Sequence, residues 1–201
     1  QVTLLSPDTA GLMRGKIGVA WLAADDDGDE LAFTLSYSHD DGATWLPFTL
    51  NLTGTNSYEL DLSNLPGGTA CRVKVEASDG WHNAGDTSDA SFQVANKAPL
   101  VGIFLPADGA VVTAPLTLQG YGYDLEDGQM EATSLAWSSD RDGPLGTGDT
   151  LWDVALTPGQ HTLALQATDS RGATGSVTVF ITVEDGESDL TTIYLPLVLR
   201  Q

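Results

Sequence analysis

Apolar and polar residues alternate with a period of two in short stretches along the whole chain. In Cys71-Arg72-Val73-Lys74-Val75-Glu76-Ala77, the Cys, both Val and the Ala fall on one side and Arg, Lys and Glu on the other. That is the pattern of a half-buried strand. Clusters of Gly, Pro, Asp and Asn break these stretches, as turns do. Strands are predicted near 1–5, 16–23, 31–38, 44–50, 57–62, 71–77 and 88–94. A second set is predicted near 100–105, 115–122, 133–139, 149–156, 160–168 and 175–183. No stretch carries a convincing helical period, so the chain reads as all-β.

The two sets are copies. "LLSPDTAG" is echoed by "IFLPADGA", "LAADDDGDEL" by "YGYDLEDGQM", and "LPGGTACRVKVEASD" by "LTPGQHTLALQATDS". Pro7 and Pro106 stand 99 apart but Asp79 and Asp169 only 90, so the second copy is shorter in its middle. Six or seven short strands per copy predict two immunoglobulin-like β-sandwiches in tandem. The first is expected over 1–95 and the second over 96–185, joined at Ala95-Asn96-Lys97-Ala98-Pro99. Residues 186–201 read as an acidic spacer followed by "LTTIYLPLVLRQ", an apolar segment too short to span a bilayer. That segment reads either as an edge strand or as a sorting tail.

Composition narrows the partners. The 201 residues are 41% hydrophobic, enough for a real core, and carry a formal net charge of -20 from 28 acids against 8 Lys and Arg. Eight scattered cations cannot form the basic footprint that nucleic acid requires, and an anionic membrane would repel the chain. The acids are 21 Asp and 7 Glu. Asp suits turns and calcium loops, whereas Glu suits helix surfaces. There is no transmembrane run. The chain opens on Gln1 with no initiator Met and no signal peptide, and is expected to be a piece of a longer protein. One Cys excludes an internal disulfide, and its place in the alternation makes Cys71 a small buried hydrophobe. Few Cys, few Lys and many Asp fit an extracellular or cell-surface bacterial protein.

The whole chain resembles tandem bacterial Ig-like domains of the fibronectin type III, PKD or cadherin-like kind. In the second copy the resemblance rests on "DLEDG", "LAWSSDRDGPLGTG" and "LTPGQHTLALQATDSRGATG"; in the first it rests on "DDDGDEL", "YSHDDGATW" and "VEASDG". Such domains often sit beside catalytic domains in secreted hydrolases and peptidases, which implies an accessory role here. Ser38-His39-Asp40-Asp41-Gly42-Ala43-Thr44-Trp45 also resembles the Asp-box of sialidases and other β-propeller glycosidases. A propeller needs several four-stranded blades and repeats the box. This chain has one full copy and too few residues, so the box is expected to be a turn clip. Asp40 would close the turn, Gly42 would take a conformation other residues resist, and Trp45 would pack beneath.

The remaining candidate chemistry is sparse. His39, His82 and His161 are isolated and expected in turns or on the surface. Trp21 and Trp137 have apolar strand neighbours and are expected in the cores. Trp81 and Trp152 carry two readings: plugs at the sandwich ends, which is favoured, or exposed rings that stack on sugars. Asp25, Asp27 and Asp29 precede one strand and Asp79 follows another, which places both loops at one end of a sandwich. The second copy repeats this with Asp124, Glu126, Asp127 and Asp169. These carboxylates are expected either as Asp-Gly turns solvated by water or as calcium ligands, since a hard cation would relieve their repulsion and stiffen the joint. The expected function is a non-catalytic spacer or adhesion segment, with the neighbouring domain of the parent chain as its partner. The alternative is a carbohydrate-binding module using exposed Trp to hold a polysaccharide or cell-surface ligand; a hydrolase is a distant third.

Overall fold

The computed structural model describes residues 1–186. The apolar segment at the chain's end, with its strand and sorting readings, lies outside the described residues. In the first copy the strands are β1 (Val2–Ser6), β2 (Leu12–Met13), β3 (Lys16–Ala23), β4 (Ala32–Ser38), β5 (Leu46–Leu52), β6 (Ser57–Asp61), β7 (Gly68–Ser78), β8 (Asn83–Thr87) and β9 (Phe92–Val94). In the second they are β10 (Leu100–Leu105), β11 (Ala110–Thr113), β12 (Leu116–Asp124), β13 (Gly128–Gln129), β14 (Leu135–Ser139), β15 (Gly143–Thr147), β16 (Thr150–Val154), β17 (Gly159–Thr168) and β18 (Thr174–Glu184). Among the described residues the helical content is two short 3-10 turns, Leu62–Asn64 and Ala132–Ser134.

Both copies fold by the same plan. In the first, one sheet runs β1-β3-β6 and the other β2-β9-β7-β4-β5, with β8 also on β7. In the second, β10 and β16 flank β12, and the other sheet runs β11-β18-β17-β14-β15. Each copy splits its opening strand between sheets. β1 pairs antiparallel with β3, and β2 then pairs parallel with β9. Likewise β10 lies beside β12, and β11 pairs parallel with β18. Two such largely antiparallel sheets with a divided first strand make an immunoglobulin-like sandwich, and the chain contains two in tandem.

Alternation builds each core. Cys71, Val73, Val75 and Ala77 of β7 point inward and join Trp21, Phe33, Leu35, Tyr37 and Phe92. The Trp21 and Phe33 ring centroids stand 5.1 Å apart. In the second copy Leu163, Leu165 and Ala167 of β17 are buried, as are Trp137, Leu118 and Ile181. Trp137 fits because β12 has no side chain at Gly120. A Cβ there would meet a Leu165 methyl at 2.4 Å and Trp137 Cζ2 at 3.1 Å.

Two expectations are corrected. The predicted strand over 88–94 is β9 alone, and β8 precedes it inside the stretch read as loop. His161 is not a surface or turn residue. It is buried at 2% exposure on the inward side of β17, where Nδ1 lies 2.8 Å from Ser139 Oγ and Nε2 lies 2.6 Å from the Thr157 carbonyl. Those two partners satisfy both ring nitrogens and allow a polar ring in an apolar row.

By compactness the chain divides into two units. The first comprises Gln1–Leu100 with Tyr123–Met130 and Thr168–Gly175; the second comprises Val101–Gly122, Glu131–Ala167 and the described residues from Ser176 on.

Candidate functional site

The acidic loops are built from one repeated device. Asp25 Oδ1 accepts the amides of Asp27 and Asp29 at 3.0 and 3.1 Å. Its counterpart Asp124 accepts those of Glu126 and Asp127 at 2.9 and 3.0 Å. Asp79 Oδ1 accepts the amides of Trp81 and His82 at 2.7 and 2.6 Å, and its other oxygen lies 3.2 Å from His82 Nδ1. Asp169 Oδ1 accepts the amides of Arg171 and Ala173 at 2.9 and 2.7 Å. These Asx turns explain why Asp outnumbers Glu. The amides of His82 and then Trp81 hold the Asp79 carboxyl down to about 2. Burial works against the Asp169 charge, yet bonds from Asn96 and the turn amides outweigh it and keep that carboxyl below the usual range.

The two copies differ in what surrounds the device. Asp25, Asp29 and Glu30 line an open depression with Leu22, Leu31 and Thr55, and Asp26, Asp27 and Asp29 are exposed. Asp79 does not line that depression, although the register Ala32↔Ser78 sets the two loops beside each other in the sheet. Asp124, in contrast, is 1% exposed. Around it the first unit draws in residues distant in sequence. Glu126 Oε1 accepts the amides of Gly67 at 2.5 Å and Lys97 at 3.1 Å. Asn96 Nδ2 donates to Asp169 Oδ2 at 2.5 Å. Both oxygens of Asp127 are taken by Ser170, through its amide and its hydroxyl.

Asp124 Oδ2 and Glu126 Oε2 are buried with no hydrogen-bond partner. The two carboxyls lie within hydrogen-bonding reach of each other, and burial together with the Asp124 carboxyl raises the Glu126 pKa above its usual value. Among the described residues no group of three or more His, Cys, Asp or Glu side chains is placed to hold a metal ion. Of Asp124, Glu126, Asp127 and Asp169, the first two leave oxygens open, while the oxygens of the other two all accept donors. The sequence marks Asn96 and Lys97 only as the joint between the copies, and Gly67 not at all. Their partners are remote along the chain, and two of the three contribute only backbone amides, so no local pattern marks them for the site.

Ser38–Trp45 is a closed turn. Asp40 Oδ1 accepts the Ser38 hydroxyl at 2.7 Å and the Thr44 amide at 2.8 Å, and Oδ2 accepts the Thr44 hydroxyl at 2.7 Å. The Thr44 amide, then its hydroxyl and then Ser38 hold the Asp40 carboxyl down to about 2. Gly42 has φ +87°, and a Cβ there would lie 3.3 Å from the Trp45 ring that packs against it. Lys74 Nζ sits over that ring, 5.0 Å from its centroid. The second copy's "SSDRDG" is built differently: Asp140 accepts the Thr162 amide, while Asp142 pins Thr157 through its amide and hydroxyl.

Trp21 and Trp137 are each 1% exposed, in the cores. Trp81 is 90% exposed and Trp152 73% exposed, so neither plugs a sandwich end. On β16 the register sets Leu151 opposite the buried Leu118, which turns the next residue, Trp152, outward. Cys71 is fully buried, receives the Tyr37 hydroxyl at 3.1 Å, and has its thiol pKa raised by burial. No helix among the described residues is long and apolar enough to cross a membrane.

Several solved structures of Ig-like and fibronectin-like domains resemble the chain. The fibronectin(III)-like modules of CbhA from Clostridium thermocellum share 14% identity at a TM-score of 0.35, over 92% of this chain and 94% of that one. The N-terminal four Ig domains of Dscam1 isoform 6.9 share 8% identity at 0.36, over 91% of this chain and 46% of that one. Dimeric latent PorU from Porphyromonas gingivalis shares 12% identity at 0.35, over 92% of this chain and 24% of that one. These likenesses are distant, and the fold assignment rests on the strand order itself. No protein-family model and no curated protein matches the chain.

Proposed function

We propose that this chain is a non-catalytic accessory segment of an extracellular or cell-surface bacterial protein, which spaces or attaches a neighbouring domain. The observation that carries this reading is the use made of Asp40. All three of its side-chain bonds close its own turn. A catalytic carboxylate is instead held free to meet substrate, and glycoside hydrolysis needs two of them flanking one bond. The other prominent acids serve in the same way: Asp25, Asp79 and Asp169 each hold amides of their own loops. The repetition of one sandwich plan in both copies fits a modular spacer. The test is direct. The isolated chain, incubated with glycoside, ester and peptide substrates, should release no product above background; turnover abolished by Asp40→Asn with folding intact would overturn the reading.

A second reading is favoured by one observation, the exposure of Trp81 and Trp152. A flat indole in solvent is a stacking surface for a sugar ring. In this reading the accessory segment holds its neighbour against a polysaccharide. Pull-down on insoluble polysaccharides should then retain the wild-type chain and lose the Trp81→Ala or Trp152→Ala variant. Equal retention of all three would remove the tryptophans from any such role.

A further inference from the structure

We propose, resting on the carbohydrate-binding reading above, that a neutral polysaccharide chain lies across the outer face of the β10-β12-β16 sheet, on the rings of Phe104, Tyr121 and Trp152. All three belong to the second unit. Alternation along β12 buries Leu118 and Gly120 and turns Thr117, Gln119 and Tyr121 to the other side of the sheet. The Tyr121 ring lies over Gly102 of β10, where a Cβ would overlap it. Glycine there lets the ring lie down on the sheet instead of standing off it. Phe104, two residues further along β10 and 60% exposed, stacks with that ring, the centroids 5.1 Å apart and the planes 28° apart. The sheet holds this pair in place before any ligand arrives, which lowers the ordering cost of binding.

On the opposite flank of β12, Trp152 and Asp153 of β16 face Thr117 alone, between the pairs Leu116↔Val154 and Leu118↔Leu151. This bulge sets Asp153 at φ +54° and leaves both side chains exposed. Counted from Leu118↔Leu151, Tyr121 lies three residues one way and Trp152 one residue the other, about 13 Å at the usual strand rise. That span exceeds one sugar ring, so an extended chain and not a lone sugar reaches both ends.

The chemistry of the face selects the occupant. Exposed rings offer flat apolar surface to the C–H faces of sugars, while Thr117, Gln119 and Asp153 beside them can hydrogen-bond hydroxyls. A purely apolar protein surface would leave those polar groups unmatched. Gly102, Phe104, Thr117, Gln119 and Tyr121 carry no charge, in a chain whose net charge is -20. That charge repels an acidic polysaccharide, an anionic membrane and a second copy of the chain alike, and leaves a neutral polymer unopposed.

Depletion isotherms on insoluble cellulose, chitin and mannan at physiological salt test this, with polygalacturonate as the acidic comparison. The wild type should bind at least one of the three neutral polymers, and polygalacturonate at least about tenfold more weakly. Phe104→Ala and Trp152→Ala should each weaken binding at least about fivefold and keep the wild-type melting temperature, because both rings are exposed. Gly102→Ala keeps every ring but lifts Tyr121 off the sheet, and should weaken binding as Phe104→Ala does. Trp81→Ala should bind as the wild type does. Wild-type affinity in both Phe104→Ala and Gly102→Ala would overturn this face yet keep the carbohydrate-binding reading. No retention on any of the three neutral polymers would overturn both. Equal or tighter binding to polygalacturonate would overturn the neutral occupant. A dimer in sedimentation that Phe104→Ala dissolves would overturn the proposal by giving the face to a second copy.

Discussion

Asp40 and Asp79 are charged side chains that hold turns together, and acid is the lever that tests them. Their carboxyls titrate near 2 in the folded chain, against about 3.9 when unfolded. A lowered folded value means the stabilisation is complete above the unfolded value and is lost as pH falls through the folded one. The chain should therefore lose stability between about pH 4 and pH 2, and Asp40→Asn should flatten that loss. Urea midpoints measured across this window for both proteins check it, and parallel curves would contradict it. Cys71 makes the opposite kind of case. It should resist a thiol reagent in the native state and react fully in denaturant; rapid native labelling would place it outside the core. Its burial was legible because it alternates with Val73, Val75 and Ala77 on β7. His161 alternates with Leu163 and Leu165 in the same way. Its burial is not legible because Ser139 lies on another strand, 22 residues away, and Thr157, though only four residues before it, holds the ring through a backbone carbonyl that no side-chain pattern marks.

Among the elements, strands that face a core announced themselves and edge strands did not. β4, β7, β12 and β17 show period-two alternation, and the structure places them where the pattern did. β15, in contrast, spells Gly-Pro-Leu-Gly-Thr, which reads as a turn by composition. Its strand character comes from pairing with β14, with an irregular register between Trp137 and Ser138. β8 was lost for a related reason: "NAGDT" carries little apolar signal, and only pairing along β7 makes it a strand. Close packing between elements gives a sharper test than the pattern. Gly120→Ala would bring a Cβ to 2.6 Å from the Gly102 carbonyl as well as against Leu165, and backbone cannot yield as a side chain can. The variant should lose about 1–3 kcal/mol, the usual cost of overpacking. Chemical denaturation measures it. Full stability would mean that β10 and β12 can part without loss.

For the molecule as a whole, the repeat was the most informative feature of the sequence. Echoed segments predicted two sandwiches, and both copies share one strand order down to the divided first strand. The acidic loops were legible as turns with a metal-ion alternative, but the difference between them was not. Both copies spell similar Asp-rich stretches; Asp124 is buried where Asp25 is only half-buried, and Glu126 takes the amides of Gly67 and Lys97, far away in sequence. The tryptophans were ambiguous because a lone Trp in a loop has no alternation to fix its direction. The central claim, the proposed accessory role without chemistry of its own, is tested most directly in the longer parent protein that the proposal implies, with and without these residues. The measurement is turnover of a small soluble substrate by the catalytic domain that the proposed function places beside this segment. The account predicts an unchanged kcat, with losses confined to attached or insoluble substrate. A fall in kcat on the soluble substrate, with the catalytic domain still folded, would contradict it.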